Sequence, residues 1–117
     1  MSDELLRQRA TYLTPHDLRR LDWACKPIAA AFDNTPYLVG SVQTRDDYRD
    51  IDIRLILPDA QLEAMTGGSQ RLHWLLDAAF TSLLESMCRM PKPIDFQFQS
   101  ETEAEKETGA RNPLGMR

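Results

Sequence analysis

The sequence predicts an α+β domain, a small mixed β-sheet packed with helices, and three observations carry that expectation. Two long segments, from about Thr14 to Asp33 and from about Gln70 to Arg89, space their apolar residues three and four apart. Two shorter segments, Asp50–Leu57 and Ile94–Gln99, alternate polar with apolar residues, the period of a strand that buries one face. The order helix, strand, strand, helix, strand suits helices gathered on a mixed sheet.

In chain order, residues 3–10 carry a short helical tendency, with Leu5 and Leu6 among charged residues. A firmer start follows at Thr14-Pro15-His16-Asp17. Thr caps a helix N-terminus, Pro suits the first helical position, and Asp17 complements the positive helix end. Leu18, Leu21, Cys25, Ile28 and Phe32 then form one stripe. Asn34-Thr35-Pro36 stops the helix, because Pro lacks an N–H and disfavours helical geometry in the residue before it. Tyr37-Leu38-Val39 reads as a short strand running into Gly40-Ser41, and the polar spacer Val42 to Arg49 leads to the strand that Pro58 closes.

A helical turn from Asp59 to Met65 and the loop Gly67-Gly68-Ser69 precede the second long helix. Leu72, Leu75, Leu76, Ala79, Phe80, Leu83, Leu84 and Met87 give that helix a wide apolar face, with Asp77 and Glu85 on its exposed side. Pro91-Lys92-Pro93 breaks it and releases the last strand. From Ser100 the composition turns polar and charged, a helical turn passing into a mobile tail. The domain is therefore read as residues 1–99 and the C-terminal tail as 100–117.

A chain of 117 residues holds one hydrophobic core and no second. Its 42% apolar and 27% charged fractions are those of ordinary soluble proteins. A net charge of −4 argues against an extended grip on nucleic acid, which needs a basic face. It leaves room for a single nucleotide, whose charge a bound cation offsets. Cys25 and Cys88 have no Cys-x-x-Cys spacing and read as buried reduced thiols. The opening Met-Ser-Asp-Glu-Leu-Leu-Arg is acidic and lacks the apolar run of a secretory signal. No stretch approaches the ~20 apolar residues of a membrane span. A cytoplasmic protein with no membrane partner is expected.

The chemistry concentrates on three aspartates. Residues two apart on a strand share a face, so Asp50 and Asp52 project together and can bind a hard cation such as Mg²⁺ or Mn²⁺ through carboxylate oxygens. Asp95, between Ile94 and Phe96, turns outward as its neighbours turn into the core, and would complete a three-carboxylate cluster if its strand lay beside the first. Gly40-Ser41 adds a turn at which the backbone can approach phosphate oxygens closely and a hydroxyl can donate. Arg45 and Arg49 in the spacer are within reach of the same phosphates, or are simply solvated.

Together, strand-Gly40-Ser41, Asp50-Ile51-Asp52-Ile53 and Ile94-Asp95-Phe96 resemble the DNA polymerase β-like nucleotidyltransferase superfamily in its minimal form. The resemblance implies a nucleotidyltransferase-like fold and metal-dependent transfer of a nucleoside monophosphate from a nucleoside triphosphate such as ATP to a hydroxyl acceptor, which the sequence does not identify. It assigns metal binding to Asp50, Asp52 and Asp95, help in activating the attacking hydroxyl to Asp95, and the triphosphate turn to Gly40 and Ser41. The spacer of eight residues is shorter than the family usually has, and Val42-Gln43-Thr44-Arg45 stands where Ala-Arg-Gly commonly follows the Gly-Ser. The helix at that turn is therefore cut to little more than one turn. A catalytically inactive regulatory or antitoxin-like module with the same fold, acting through a protein partner, is the alternative.

The other polar candidates are weaker. His16 and His73 have no partners at triad spacing and read as surface or boundary residues, and Arg54, which could contact a nucleotide, reads rather as a neutraliser of Asp52. Trp23 and Trp74 both fall opposite the apolar stripes of their helices. They mark a surface for a homodimer or protein partner, unless the termini fold over them.

Overall fold

The computed structural model of the chain describes residues 11–115, and the helical tendency at 3–10 lies outside them. Helix α1 (Pro15–Phe32) begins on its expected cap, Thr14 Oγ1 accepting the N–H of Asp17 at 3.1 Å. Asp33 closes the helix in the left-handed conformation, its N–H donating to Ala29 O. Strand β1 (Pro36–Val39) ends at Gly40, and a 3₁₀ turn covers Ser41–Gln43. Strand β2 (Ile51–Leu57) then returns antiparallel to β1. Helix α2 (Asp59–Thr66) stops at Gly67, and helix α3 (Gln70–Met87) starts on Ser69, whose Oγ accepts the Leu72 N–H at 3.1 Å. Strand β3 (Ile94–Ser100) lies parallel to β2, a single turn α4 (Glu101–Ala104) follows, and β4 (Asn112–Pro113) pairs antiparallel with β1. The mixed sheet runs β3-β2-β1-β4.

Alternation along the strands decides which face is covered. Leu38, Ile51, Ile53, Leu55, Leu57, Ile94, Phe96 and Phe98 turn inward and are buried with Leu21, Cys25 and Ile28 of α1 and Leu84 of α3. Phe32, Phe80, Phe96 and Phe98 knit both helices to the sheet, with ring centroids 4.9 to 5.9 Å apart in tilted, stacked and edge-on pairs. Tyr37, Val39, Asp52, Arg54, Asp95 and Gln97 occupy the opposite, half-exposed face. Cys25 and Cys88 are buried and free, and burial pushes the Cys25 thiol up to about 12. Among the described residues, no helix is long and apolar enough to cross a membrane.

Helix α3 departs from its sequence pattern. Leu72, Leu75, Leu83 and Met87 of the apolar face remain 37 to 64% exposed, and Leu84 is the buried residue of the helix. A polar stripe at four-residue spacing turns to the sheet instead and hydrogen-bonds the outer backbone of β3. Asp77 Oδ1 accepts the Phe98 N–H at 2.9 Å, and Glu85 Oε2 accepts the Ile94 N–H at 3.0 Å. Between them Thr81 Oγ1 accepts the Phe96 N–H at 3.0 Å and donates to Phe96 O at 3.3 Å. His73 Nε2 lies 2.8 Å from Phe98 O.

The spacing explains the match. Four helical residues advance ~6 Å and two strand residues ~6.6 Å, so one stripe can follow successive outward groups. Leaving such groups buried and unpaired costs ~1–3 kcal/mol each, comparable to the ~1.5–3 kcal/mol from burying a leucine, and the stripe satisfies several at once. The helix rolls accordingly. Asp77, expected on the solvent side, is a part-buried backbone cap; Glu85 is exposed as expected and caps the Ile94 N–H from there.

The segment expected as a mobile tail is also folded. Strand β4 sets Tyr37 opposite Pro113 and Leu38 opposite Asn112, and the Leu114 N–H donates to Pro36 O at 2.8 Å. Leu114 itself is fully buried. The buried carboxylate of Asp22 accepts the Gly115 N–H at 2.7 Å, and Gln43 Nε2 donates to Ala110 O at 2.6 Å. A leucine set between Pro113 and Gly115 has no alternation to mark a strand, which is why composition hid this one.

Candidate functional site

The parallel register of β2 and β3 sets Asp52 directly beside Asp95. Neighbouring strands lie ~4.8 Å apart, so both carboxylates leave the open face as close neighbours. Asp50 stands one residue ahead of β2 rather than on it. The strand begins at Ile51, whose N–H donates to Pro93 O at 2.8 Å. Asp50 nevertheless shares with Asp52 the lining of a cavity of about 380 Å³, which Ser41, Arg45, Tyr48 and Arg49 also line.

Asp52 is half-buried. Burial pushes its carboxyl above the ordinary value; Arg54 pulls it back, and the charges of Asp95 and Asp50 push it up again. Gly40, at a φ of 81°, sits directly against this carboxylate. A Cβ there would collide with Asp52 Oδ2 and stand 3.2 Å from its Cγ. The register of Val39 with Asp52 brings the turn to that place. The positive φ favours glycine at residue 40, and a Cβ there would in addition force the Asp52 carboxylate to shift.

The spacer is held firmly. Ser41 O accepts the N–H groups of Thr44 and Arg45 at 3.0 and 2.8 Å, and Gly40 O accepts that of Gln43 at 3.2 Å. Val42 is buried, and its carbonyl accepts the Tyr12 N–H at 2.7 Å and the Thr11 hydroxyl at 3.3 Å. Arg45 forms a bidentate pair with Asp47, both bonds at 2.8 Å, on the exposed rim of the cavity. Arg49 is exposed on the same rim.

Arg54, expected to neutralise Asp52, acts on it through charge and makes its direct contacts with a carbonyl of its own strand and with Asp95 of β3. Its Nη1 donates to Ile53 O and Asp95 O at 3.0 Å each, and its Nη2 lies 3.8 Å from Asp95 Oδ2. Gln97 Nε2 stands 3.4 Å from both oxygens of Asp95. Gln97 was legible from the sequence, being two residues beyond Asp95 on one strand face. A second cavity, of about 420 Å³, opens between β3 and α3 and includes Trp74, Thr81, Glu85, Asp95 and Gln97 in its lining. A larger one of about 750 Å³ adjoins it past Trp74, bounded by α2, α3 and α4.

The aspartates meet pairwise, Asp50 with Asp52 in one cavity and Asp52 with Asp95 in one register. Among the described residues, no three His, Cys, Asp or Glu side chains are grouped to hold a metal ion. Mg²⁺ is commonly held by one or two carboxylates together with substrate phosphates and water. The Asp50–Asp52 pair fits an ion that arrives with a phosphate ligand. No protein-family model, curated protein or solved structure matches the chain.

Proposed function

We propose that this chain is a small metal-dependent nucleotidyltransferase of the DNA polymerase β-like kind, moving a nucleoside monophosphate from a nucleoside triphosphate to a hydroxyl. The observation that carries the reading is the Asp52–Asp95 register with Gly40 fitted against Asp52, which joins three motif parts far apart in sequence. Asp50 and Asp52 would hold Mg²⁺ or Mn²⁺, which when bound offsets the triphosphate charge and polarises the reacting phosphate. Ser41 and Arg49 line the cavity beside that pair and suit phosphate oxygens. Arg45 joins them only by leaving Asp47. Asp95 lines a different cavity, where it can orient an acceptor hydroxyl and take its proton.

Calorimetric titration with Mg²⁺ and ATP or another nucleoside triphosphate tests binding, and α-labelled triphosphate tests transfer. Both are expected of the wild type and lost in Asp52→Asn. Equal labelling by that variant overturns the role of Asp52.

A second reading rests on the exposed Leu72, Leu75, Leu83 and Met87 of α3. On this reading the chain is a catalytically inactive regulatory or antitoxin-like module, which docks a protein partner or a second copy through that stripe. Absence of metal-dependent nucleotide binding, with a dimer seen by light scattering that Leu75→Glu dissolves, favours it over the enzyme.

A further inference from the structure

Trp74 stands 64% exposed on α3 and lines the groove of about 420 Å³ that reaches Asp95. Ala78 and Ser82, four and eight residues on, line the same groove, so small side chains leave the space next to the indole open. We propose that this groove is the acceptor subsite, and that it takes a hydroxyl-bearing ring compound carrying positive charge, stacked on Trp74 with its hydroxyl at Asp95. The proposal rests on the nucleotidyltransferase reading.

The Asp52–Asp95 pair divides two cavities, both rich in carboxylates, of which one also carries arginines. The one on the β1 side sets Arg45 and Arg49 among Asp47, Asp50 and Asp52, so a triphosphate there meets two guanidinium groups and a carboxylate pair that calls for a cation. The groove on the α3 side has no Lys or Arg in its lining, its ionisable members are Asp77, Glu85 and Asp95, and the cation at its edge is Arg54, 3.8 Å from Asp95. A phosphate-bearing acceptor meets repulsion there, whereas a cation is attracted by the carboxylates and by the indole face. An aromatic ring supplies flat apolar area at small conformational cost, which suits a platform for a ring. In the transfer step, the acceptor oxygen forms a bond to the α-phosphorus and its proton passes to the Asp95 carboxylate. The bond from that phosphorus to the bridging oxygen breaks, and pyrophosphate leaves with its electron pair.

The test uses Trp23→Phe, which leaves Trp74 as the single tryptophan of the full chain. Tyramine, tyrosol and 4-hydroxyphenylacetate share one phenol ring and differ in charge, and a short oligoadenylate represents a polyanionic acceptor. Saturable quenching of Trp74 fluorescence is expected in the order tyramine, tyrosol, 4-hydroxyphenylacetate. Tyramine should act at a concentration at least ten-fold below the anion, and the oligoadenylate should have no effect. Ala78→Leu is expected to abolish tyramine quenching while leaving Mg²⁺·ATP binding intact. No saturable quenching by tyramine, or equal quenching by the anion or the oligoadenylate, overturns the proposal. If Mg²⁺·ATP binds and tyramine does not, the acceptor groove falls and the nucleotidyltransferase reading stands. If the charge order holds and Mg²⁺·ATP does not bind, the groove's preference stands and its acceptor role falls with that reading.

Discussion

Asp52 and Asp95 stand side by side across the parallel β2–β3 pair, yet Arg54 reaches directly only to the second. Asp95 has a guanidinium nitrogen at 3.8 Å and an amide at 3.4 Å, whereas Asp52 is half-buried against the Gly40 turn. Two identical side chains in one register thereby have different surroundings. Arg54 acts on Asp52 through charge alone and on Asp95 by contact as well.

The first prediction follows from the environment of Asp52. Its folded pKa is raised, so the native state holds that proton more readily than the unfolded chain. This contribution to stability is therefore present below the unfolded value of about 3.9 and is lost as pH rises through the folded one. Asp52→Asn removes the loss, so at pH 7 the variant should melt above wild type, with the gap closing in acid. Thermal melts followed by circular dichroism across pH check this, and a variant melting below wild type at pH 7 contradicts the burial account. The same variant should lose Mg²⁺-dependent nucleotide binding.

Gly40→Ala should destabilise the fold by about 1–3 kcal/mol in urea denaturation, combining a disfavoured positive φ with the collision at Asp52. Asp52→Ala removes the collision and keeps the φ penalty. The double variant is therefore expected to be more stable than the sum of the two single changes, by on the order of 1 kcal/mol. Strict additivity would show that turn and carboxylate do not touch.

Thr81→Val keeps shape and removes both hydrogen bonds to Phe96. A loss of about 1–3 kcal/mol is expected, because a part-buried N–H and carbonyl lose their partner. Amide exchange at Phe96 should accelerate more than at Ile53 in the adjoining strand. Uniform acceleration at both would indicate loss of global stability without release of the β3 backbone.

Leu114→Ala should cost about 2–5 kcal/mol, the range for truncating a fully buried leucine. Deleting residues 112–117 should cost at least as much, since β1 also loses its β4 pairing. A shortened chain with an unchanged urea midpoint would refute a structural role for this segment.

Much of this was legible where one residue type has one physical use. Thr14 and Ser69 cap the helices that they precede, and the alternation in Ile51–Leu57 and Ile94–Ser100 gives both strands their faces. The Asp52–Asp95 neighbourhood needed the parallel register, which no local pattern states. The roll of α3 was hidden because apolar residues outnumber polar ones in it, while the decisive groups were the backbone groups of a strand distant in sequence. For the same reason Asp77 looked like a solvent-facing residue and the bond of the exposed Glu85 to β3 went unread, and Leu114, set between Pro113 and Gly115, gave no signal.

The stripe on α3 has a consequence for how molecules of this protein meet. A lateral strand normally offers a ladder of free amides and carbonyls onto which another chain can add, the route to runaway sheet growth. On the β3 flank, His73, Asp77, Thr81 and Glu85 already occupy that ladder. On the other flank β4 is two residues long and includes Pro113, which has no N–H to offer. Among the described residues, contact between crowded copies is thus left to side chains, chiefly the uncovered leucines of α3, and such contacts can separate again without backbone pairing having formed.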